Sequence, residues 1–311
     1  MKKIPVIIDC DPGHDDAIAL IIAFGSDNLE IKAVTTCAGN QTPDKTLNNA
    51  LRVLSFIEAD IPVAQGALTP IIRKLIIAPE VHGESGLDGP ELPAPTLKPI
   101  GSSADELFVK ILTESEEKIT IIPTGPLTNI GILLSAHPEV KEKIERIILM
   151  GGAAVGGNWT PGAEFNILVD PEAADIVFKS GIPIVMCGLD VTHKAMIFKD
   201  ETEKIRAIGN KTGKLVAELL DFFDIFHRKE GFGFAGAPLH DPCAVAYAID
   251  PSIFITQDYH VEIERCGEHT LGATVVDFKN RHGRDKNVKV VLGLDRVKFI
   301  DLMYRSFKKL I

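Results

Sequence analysis

Cysteine and basic residues are the scarce features of this sequence. The five cysteines among 311 residues are scattered and never form a CxxC pair, which predicts reduced thiols and a cytoplasmic protein. Lysine and arginine are outnumbered by aspartate and glutamate, 33 to 43, and no basic block occurs, which argues against a nucleic-acid or anionic-membrane partner. Long apolar runs are also missing, because Asp9 and Asp11 interrupt the first one, so no segment is expected to span a membrane.

A glycine- or serine-rich linker and an internal repeat are likewise absent, and residues 1–311 are therefore expected to form one domain. Apolar segments of strand type alternate with helical segments, which predicts an α/β fold with a doubly wound, largely parallel, Rossmann-like sheet. Its strands are predicted at 4–8, 31–36, 61–64, 119–122, 147–150 and 182–187. Near the C-terminus, an antiparallel extension is predicted from strands at 259–263 and 270–277. Residues 66–102 break the alternation, and their length and apolar content indicate an ordered flap.

Four carboxylates lie within eight positions after the first predicted strand, at Asp9, Asp11, Asp15 and Asp16. The apolar segment behind them predicts a buried helix whose N-terminus lies under these acids. A helix N-terminus stabilises a nearby anion by about 0.3–1 kcal/mol, which is too little for four carboxylates, so a bound cation is predicted. Oxygen ligands favour a hard cation, Ca²⁺ before Mg²⁺. The alternative, a helix-capping aspartate in a solvated turn, accounts for Asp15 or Asp16 alone.

Further polar side chains follow the other predicted strands. In an open parallel sheet, ligands bind beyond the carboxyl ends of the strands, and all of these residues belong to that edge. They are Asn40 after the second strand, Thr124 after the fourth, Asn158, Glu164 and Asn166 after the fifth, and Asp190 after the sixth. This convergence of oxygen-bearing groups predicts a polar ligand site at one edge of the sheet.

Two of the polar segments allow both a functional and a structural interpretation. Glu164 and Asn166 flank Phe165 in a segment predicted as extended, so both polar side chains would face one way. They could bond vicinal hydroxyls or tie their own loop together. Asp241 precedes a proline and an apolar helix, as an N-cap residue does, but it could also complete an oxygen cage around a cation. The imidazole of His240 beside it can donate a proton near neutral pH.

A series of short motifs lies in order along nearly the whole chain. The first is Asp9-Cys10-Asp11-Pro12-Gly13-His14-Asp15-Asp16-Ala17, and the others lie at 36–42, 82–86, 123–125, 163–167, 170–174, 188–193 and 240–242. Together they resemble the inosine-uridine preferring nucleoside hydrolase family. Around residues 158–161 and 221–241, the chain is most similar to the pyrimidine-preferring branch. The resemblance implies the nucleoside hydrolase fold and a calcium-dependent ribonucleoside hydrolase that releases ribose and a free base.

The resemblance also implies roles for individual residues. The ligands of Ca²⁺ would be Asp11, Asp16, the backbone carbonyl of Thr124 and the carboxylate of Asp241. The side chain of Thr124 would then matter little for the metal, and Asp11 would also take the proton from the metal-bound water. The groups that hold the ribose hydroxyls would be Asp15, Asn40, Asn158, Glu164 and Asn166. The catalytic residues near the base would be His82 and His240, with Phe165 as a further substrate contact.

The expected substrates are uridine and cytidine, and the expected assembly is a homo-oligomer, a tetramer. One departure from the family concerns residues 222–234, which lack the tyrosines that nonspecific members place there. A tyrosine cannot then donate a proton to the leaving base, so His240 is predicted as the acid. His227 is the reserve for that role and a predicted substrate contact.

Other functions compete with this interpretation. A purine-preferring or nonspecific nucleoside hydrolase would use the same acids. A haloacid-dehalogenase-like phosphatase also has two aspartates after its first strand, but it needs threonine or valine where Gly13 and His14 stand. A calcium-dependent ribose-binding module would keep the oxygen cage without an aligned water.

Overall fold

Strands and helices alternate along most of the chain, which the computed structural model describes for residues 2–229 and 234–311. The strands are β1 (Ile4–Cys10), β2 (Leu29–Thr36), β3 (Val63–Gln65), β4 (Ile119–Pro123), β5 (Ile144–Met150), β6 (Ile184–Cys187), β7 (Met196–Ile197), β8 (Ala237–Pro238), β9 (Phe254–Tyr259), β10 (Val261–Ile263), β11 (Thr274–Val276) and β12 (Val288–Leu294). The α-helices are α1 (His14–Phe24), α2 (Pro43–Phe56), α3 (Pro79–His82), α4 (Ala104–Glu114), α5 (Thr128–Ala136), α6 (Phe165–Val169), α7 (Pro171–Phe178), α8 (Leu189–Thr192), α9 (Lys199–Arg206), α10 (Lys211–Lys229), α11 (Asp241–Ile249) and α12 (Arg296–Lys309). Two 3₁₀ helices lie at Pro138–Lys143 and Pro251–Ile253.

Within the described ranges, eight strands form one sheet in the order β3-β2-β1-β4-β5-β6-β12-β9. Every neighbouring pair in it is parallel except β12 with β9 at one edge. The predicted doubly wound, largely parallel sheet is therefore confirmed. The strand order reverses direction between β1 and β4, and such a switch point leaves a crevice beyond the carboxyl ends of the two strands.

The C-terminal third contains the predicted antiparallel pair, as the short hairpin of β10 and β11. The sequence did not predict β9 or the second small pair, in which β7 lies antiparallel to β8. None of the helices in the described ranges is long and apolar enough to cross a membrane.

Helix α1 lies in the middle of the structure, and residues 14–23 are all buried. It contacts α2, α10, α11 and α12. A helix that is apolar on every side is stable only when it is covered on every side, so its place is fixed by burial. The helix begins at His14, so the last two acids of the predicted group lie within its first turn. The carboxylate of Asp16 accepts the backbone N–H of Gly13 at 3.1 Å and thereby satisfies one of the free donors at this helix end.

The flap at residues 66–102 is ordered against the polar edge of the sheet. Its side chains Leu75, Ile76 and Val81 join an apolar cluster with Trp159 and Phe165. The short helix α3 carries the flap over this edge, so its last residue, His82, is buried. The prediction of an ordered flap is confirmed.

Candidate active site

A cavity of about 350 Å³ lies beyond the carboxyl ends of β1, β4 and β5, under the flap. Its polar side holds the predicted residues Asp15, Asn40, Thr124, Asn158, Glu164, Asn166 and Asp241. The opposite side is an aromatic wall, which consists of His82, His193, Phe223, Phe226, His227, Phe234 and His240. The topology thus brings one side of polar oxygens and one side of aromatic rings to the same cavity.

The polar side rests on an acidic cluster, which consists of Asp11, Asp15, Asp16 and Asp241. All four are buried, and carboxylate oxygens of Asp15, Asp16 and Asp241 lie within 4.8 Å of one another. Asp15 and Asp16 belong to the first turn of α1, and Asp241 is the first residue of α11. Because these two helices contact each other, their acidic first turns meet below the cavity.

Hydrogen bonds hold the individual carboxylates in place. Asp16 accepts from the hydroxyl of Thr124 at 2.8 Å and from the side-chain amide of Asn40 at 3.0 Å. Asp11 Oδ2 accepts from the backbone N–H of Asn40 at 2.7 Å, whereas Asp11 Oδ1 is buried and has no hydrogen-bond partner in the described part of the chain. The Thr124 side chain, which is expected to matter little for the metal, thus holds the carboxylate of Asp16 in place. The Thr124 carbonyl accepts from the side-chain amide of Asn166 at 2.8 Å.

The predicted group of four acids has one wrong member, Asp9. Its Oδ1 accepts from the hydroxyl of Thr35 at 2.5 Å and from the amide of Asn129 at 2.7 Å. Asp9 still belongs to β1, and its backbone pairs with Thr35 of the neighbouring strand β2. The chain leaves the sheet only after Cys10. Asp9 Oδ2, like Asp11 Oδ1, has no hydrogen-bond partner among the described residues, but Asp9 is held through Oδ1 by β2 and α5 and is not counted in the acidic cluster.

Burial raises the pKa of these acids, and their mutual repulsion raises it further. The pKa of Asp15 is raised from 3.8 to about 7, first by desolvation and then by the charge of Asp16. Desolvation and neighbouring carboxylates raise the pKa of Asp11 and Asp241 well above the usual range. A divalent cation would remove this repulsion, and a buried set of oxygens with one unpartnered Asp11 atom fits a hard cation.

The segment around Glu164 is not extended, as the alternation of side chains predicted, but starts the short helix α6. The carboxylate of Glu164 accepts the backbone N–H groups of Asn166 at 3.0 Å and of Gly152 at 2.8 Å, and so caps this helix. Its burial nevertheless raises its pKa to about 7. Because the chain turns here, Glu164, Phe165 and Asn166 all line the cavity. Asn158 accepts the N–H of Phe165 at 3.0 Å.

Three imidazoles of the aromatic wall are oriented through their Nδ1 atoms. His82 Nδ1 lies 3.2 Å from the backbone N–H of His14 and also 3.2 Å from the ring Nδ1 of His14. His227 Nδ1 lies 2.9 Å from the carbonyl of Phe223, which can only accept, so this nitrogen is the donor. His240 Nδ1 lies 2.9 Å from the hydroxyl of Thr192. Burial lowers the pKa of His82 and His240 well below the usual value.

Sequence reasoning missed several residues of the cavity. Phe223 and Phe226 precede His227 by four positions and one, and all three lie on one side of α10. A helical spacing in the sequence marks such a shared face, but it does not say what the face meets. His193 is the last residue of the motif at 188–193, which follows β6, and Trp159 is next to Asn158. Both residues therefore lie beside positions that the sequence marks as candidates.

Two predictions of the sequence do not correspond to described residues of the cavity. Asp190 does not line the cavity, because its carboxylate accepts the N–H of Ala154 at 2.6 Å and holds the loop after β5. Part of the tyrosine-free segment, residues 230–233, lies outside the described residues.

Known proteins are similar to this chain over almost its whole length. The sequence model of the family described as inosine-uridine preferring nucleoside hydrolase matches residues 6–301. The pyrimidine-specific ribonucleoside hydrolase RihA of Shewanella sp. (strain ANA-3) is 60% identical over 303 residues, which cover 97% of this chain and 95% of that protein. The protein of the same name from Escherichia coli O1:K1 / APEC is 56% identical over 306 residues, 98% of each chain.

Solved structures show the same fold. A purine-preferring ribonucleoside hydrolase from Gardnerella vaginalis is similar with a TM-score of 0.92 and 31% identity, covering 98% of both chains. A plant nucleoside hydrolase, PpNRh1, is similar with a TM-score of 0.93 and 34% identity, covering 99% of both chains.

Proposed function

Because the chain belongs to the inosine-uridine preferring nucleoside hydrolase family, we propose that it hydrolyses pyrimidine ribonucleosides, uridine and cytidine, with the help of bound Ca²⁺. Membership of this family makes the chain an N-glycosidase. The observation that carries the finer proposal is the cavity itself, in which a buried acidic cluster faces a wall of imidazole and phenyl rings. The acids suit a ribose and a cation, and the rings suit a planar base.

The polar side of the cavity supports ribose binding. Asp15, Glu164 and Asn166 line it, and their oxygen and amide groups can bond vicinal hydroxyls. Cleavage of the bond to the base leaves positive charge on the ribosyl ring, which nearby carboxylates stabilise. The raised pKa of Asp15 and Glu164, about 7 for each, falls once a cation or a positively charged ring lies beside them.

The acidic cluster supports activation of water. Asp11, Asp16, the Thr124 carbonyl and Asp241 would hold the cation, which would supply a Lewis acid that acidifies the attacking water. Asp11 Oδ1 has no partner among the described residues and is the proposed acceptor of the proton from that water. The water oxygen forms the new bond to C1′ of ribose. The bond from C1′ to the base breaks, and its electron pair goes to the base.

The aromatic wall supports departure of the base. His240 is the proposed donor of the proton that the departing base takes up, and the ring faces the cavity beside Asp241. His82 lies in the same wall, and its ring is held through Nδ1 by the backbone N–H and the imidazole of His14. Phe223 and His227, whose rings lie 4.4 Å apart, offer surfaces on which a base can stack.

The preference for pyrimidines rests on the relatives. The proteins that match at about 60% identity over nearly the full length are named for pyrimidine specificity, whereas the purine-preferring structural neighbour is 31% identical. The homotetramer and the cytoplasmic location implied by the family resemblance stay predictions, which sedimentation and cell fractionation test.

The decisive experiment is release of ribose from uridine, cytidine, inosine and adenosine, each measured with and without a chelator. We expect uridine and cytidine to be hydrolysed fastest, loss of activity in chelator, and recovery with added Ca²⁺. Faster turnover of inosine would contradict the pyrimidine preference. Recovery with Mg²⁺ but not Ca²⁺ would contradict the identity of the metal. Tight binding of ribose without any hydrolysis would indicate a binding module instead.

A further inference from the structure

One hydroxyl group from a separate element fixes the ring of His240. Thr192 is fully buried at the end of α8, and its Oγ1 lies 2.9 Å from His240 Nδ1. Its backbone N–H is bonded to the carbonyl of Gly188 at 3.1 Å, and α8 contacts β6, β12 and α11. The hydroxyl is thus held on a rigid part of the fold. The opposite ring nitrogen, Nε2, is left for the cavity that His240 lines.

The partner of His240 differs in kind from the partners of the neighbouring rings. His82 Nδ1 lies 3.2 Å from both the backbone N–H and the ring Nδ1 of His14, and His227 Nδ1 faces a backbone carbonyl, which only accepts. A threonine hydroxyl can donate to a bare nitrogen or accept from a protonated one. The contact with Thr192 therefore holds the His240 ring in place in either tautomer.

We propose that Thr192 is a positioning residue that acts through His240 and keeps Nε2 of that ring directed at the departing base. The inference rests on the proposed hydrolase function, because it requires a base that leaves with its electron pair. In the step, a His240 ring that is protonated on both nitrogens gives its Nε2 proton to the base. The ring then remains as the neutral form protonated on Nδ1, whose hydrogen bond to Thr192 Oγ1 is kept. The proton that Asp11 takes from water balances the one given up.

The test compares Thr192→Val, which keeps the branched shape but removes the hydroxyl, with Thr192→Ser, which keeps the hydroxyl. Thr202→Val is the matched control, because Thr202 is a buried helical threonine that does not line the cavity. Its hydroxyl bonds only the carbonyl of Phe198, at 3.4 Å. The substrates are uridine and p-nitrophenyl riboside, whose phenolate departs without a proton.

We expect Thr192→Val to lower kcat for uridine by about 10–100-fold with little change in KM, the size expected when a catalytic group is displaced by about 1 Å. Its activity on p-nitrophenyl riboside should change less than about threefold, since that leaving group needs no acid. Thr192→Ser should restore most of the uridine activity, and Thr202→Val should behave like the unaltered enzyme on both substrates. Equal losses on the two substrates, or failure of serine to rescue, would overturn the inference.

A second comparison separates action through His240 from a general effect on folding. In a His240→Ala background, adding Thr192→Val should cause no further loss of uridine hydrolysis, because the residue it positions is gone. A further tenfold loss would mean that Thr192 acts by another route. If the unaltered enzyme released no ribose from uridine, the proposed function would fail. If the enzyme were active and Thr192→Val were equally active, only the role of Thr192 would fail.

Discussion

The two sides of the cavity are built by different parts of the fold. The acidic cluster comes from the end of β1 and the first turns of α1 and α11, which are buried in the centre of the molecule. The aromatic wall comes from the flap, the later part of α10 and the residues before α11. The groups proposed to act on every nucleoside thus lie on the most deeply buried elements. The proposed contacts with the base lie on segments outside the sheet, where a change of sequence disturbs the sheet less.

The largest effect expected on the acidic side is loss of a substrate hydroxyl. Asp15, Asn40, Glu164 and Asn166 offer groups for both ribose hydroxyls, and a site built to bond a hydroxyl rejects its absence by a factor on the order of 10⁴. We therefore expect 2′-deoxyuridine to be hydrolysed about 10⁴-fold less efficiently than uridine, measured as kcat/KM. Comparable turnover of the two would mean that these residues do not recognise the sugar.

The next largest effect is expected for substitution of Asp11, with the same substitution at its neighbour Asp9 as the comparison. Asp11→Asn removes the proposed base and one charge, and we expect kcat/KM to fall by about 10²–10⁴ on uridine and p-nitrophenyl riboside alike. Asp9→Asn is the matched control, since Asp9 is an equally buried acid that bonds Thr35 and Asn129. It should retain most of the activity. A loss confined to uridine in Asp11→Asn would place Asp11 in base departure instead.

The two sides of the cavity also differ in how well the sequence predicts them. The acids cluster in the chain itself, and because parallel strands end at a common edge, the sequence alone was enough to place Asn40, Thr124 and Glu164 beside them. Asp9 was wrongly included because spacing alone does not show where a strand ends. Here β1 continues to Cys10, and Asp9 is occupied by Thr35 across the sheet.

The aromatic wall gave weaker signals. Phe223 and Phe226 share a helix face with His227, but an apolar face is as typical of a buried core as of a binding site. Whether such a face belongs to the core or to a binding site depends on packing. Here it depends on contacts between α10 and the flap helix α3, two elements that are distant in sequence. The extended prediction for Glu164 failed for a local reason. Its carboxylate caps α6, and alternation of polar and apolar residues does not reveal a side chain that bonds its own backbone.

The aromatic side should show a smaller and selective effect. His240→Ala is expected to lower kcat/KM for uridine by about 10²-fold, because the base must then leave without its proton donor. Activity on p-nitrophenyl riboside should be nearly unchanged, in contrast to Asp11→Asn. Steady-state kinetics with both substrates make the comparison. If both substrates slowed equally, His240 would hold the ribose or the fold, and the proton donor would have to be His82, His227 or solvent.

The smallest expected effect is on stability, where the two sides respond to pH in opposite directions. In the folded chain, the pKa of Asp15 is raised from 3.8 to about 7 and that of Glu164 from 4.5 to about 7. Between about pH 4 and 7, the folded state therefore binds more protons than the unfolded state, and the free energy of unfolding falls as the pH rises. His14, stacked on Phe222 behind the aromatic wall, has its pKa lowered from 6.5 to about 4 and acts with the opposite sign.

A bound cation separates the contributions of the acids and of the imidazoles to the pH dependence of stability. It neutralises the charge of the acids and leaves the protonation of the imidazoles unchanged. At pH 5, the cation must displace protons from the acidic cluster, whereas at pH 7.5 it meets carboxylates whose repulsion it removes. We expect the rise in Tm on adding Ca²⁺ to chelated protein to be several degrees larger at pH 7.5 than at pH 5. With saturating Ca²⁺, Tm should then increase from pH 5 to 7, because the lowered pKa values of His14, His82 and His240 together outweigh Asp9, whose pKa is raised to about 6. Scanning calorimetry at the two pH values measures both, and an equal rise at each would mean that the acidic cluster does not bind the cation.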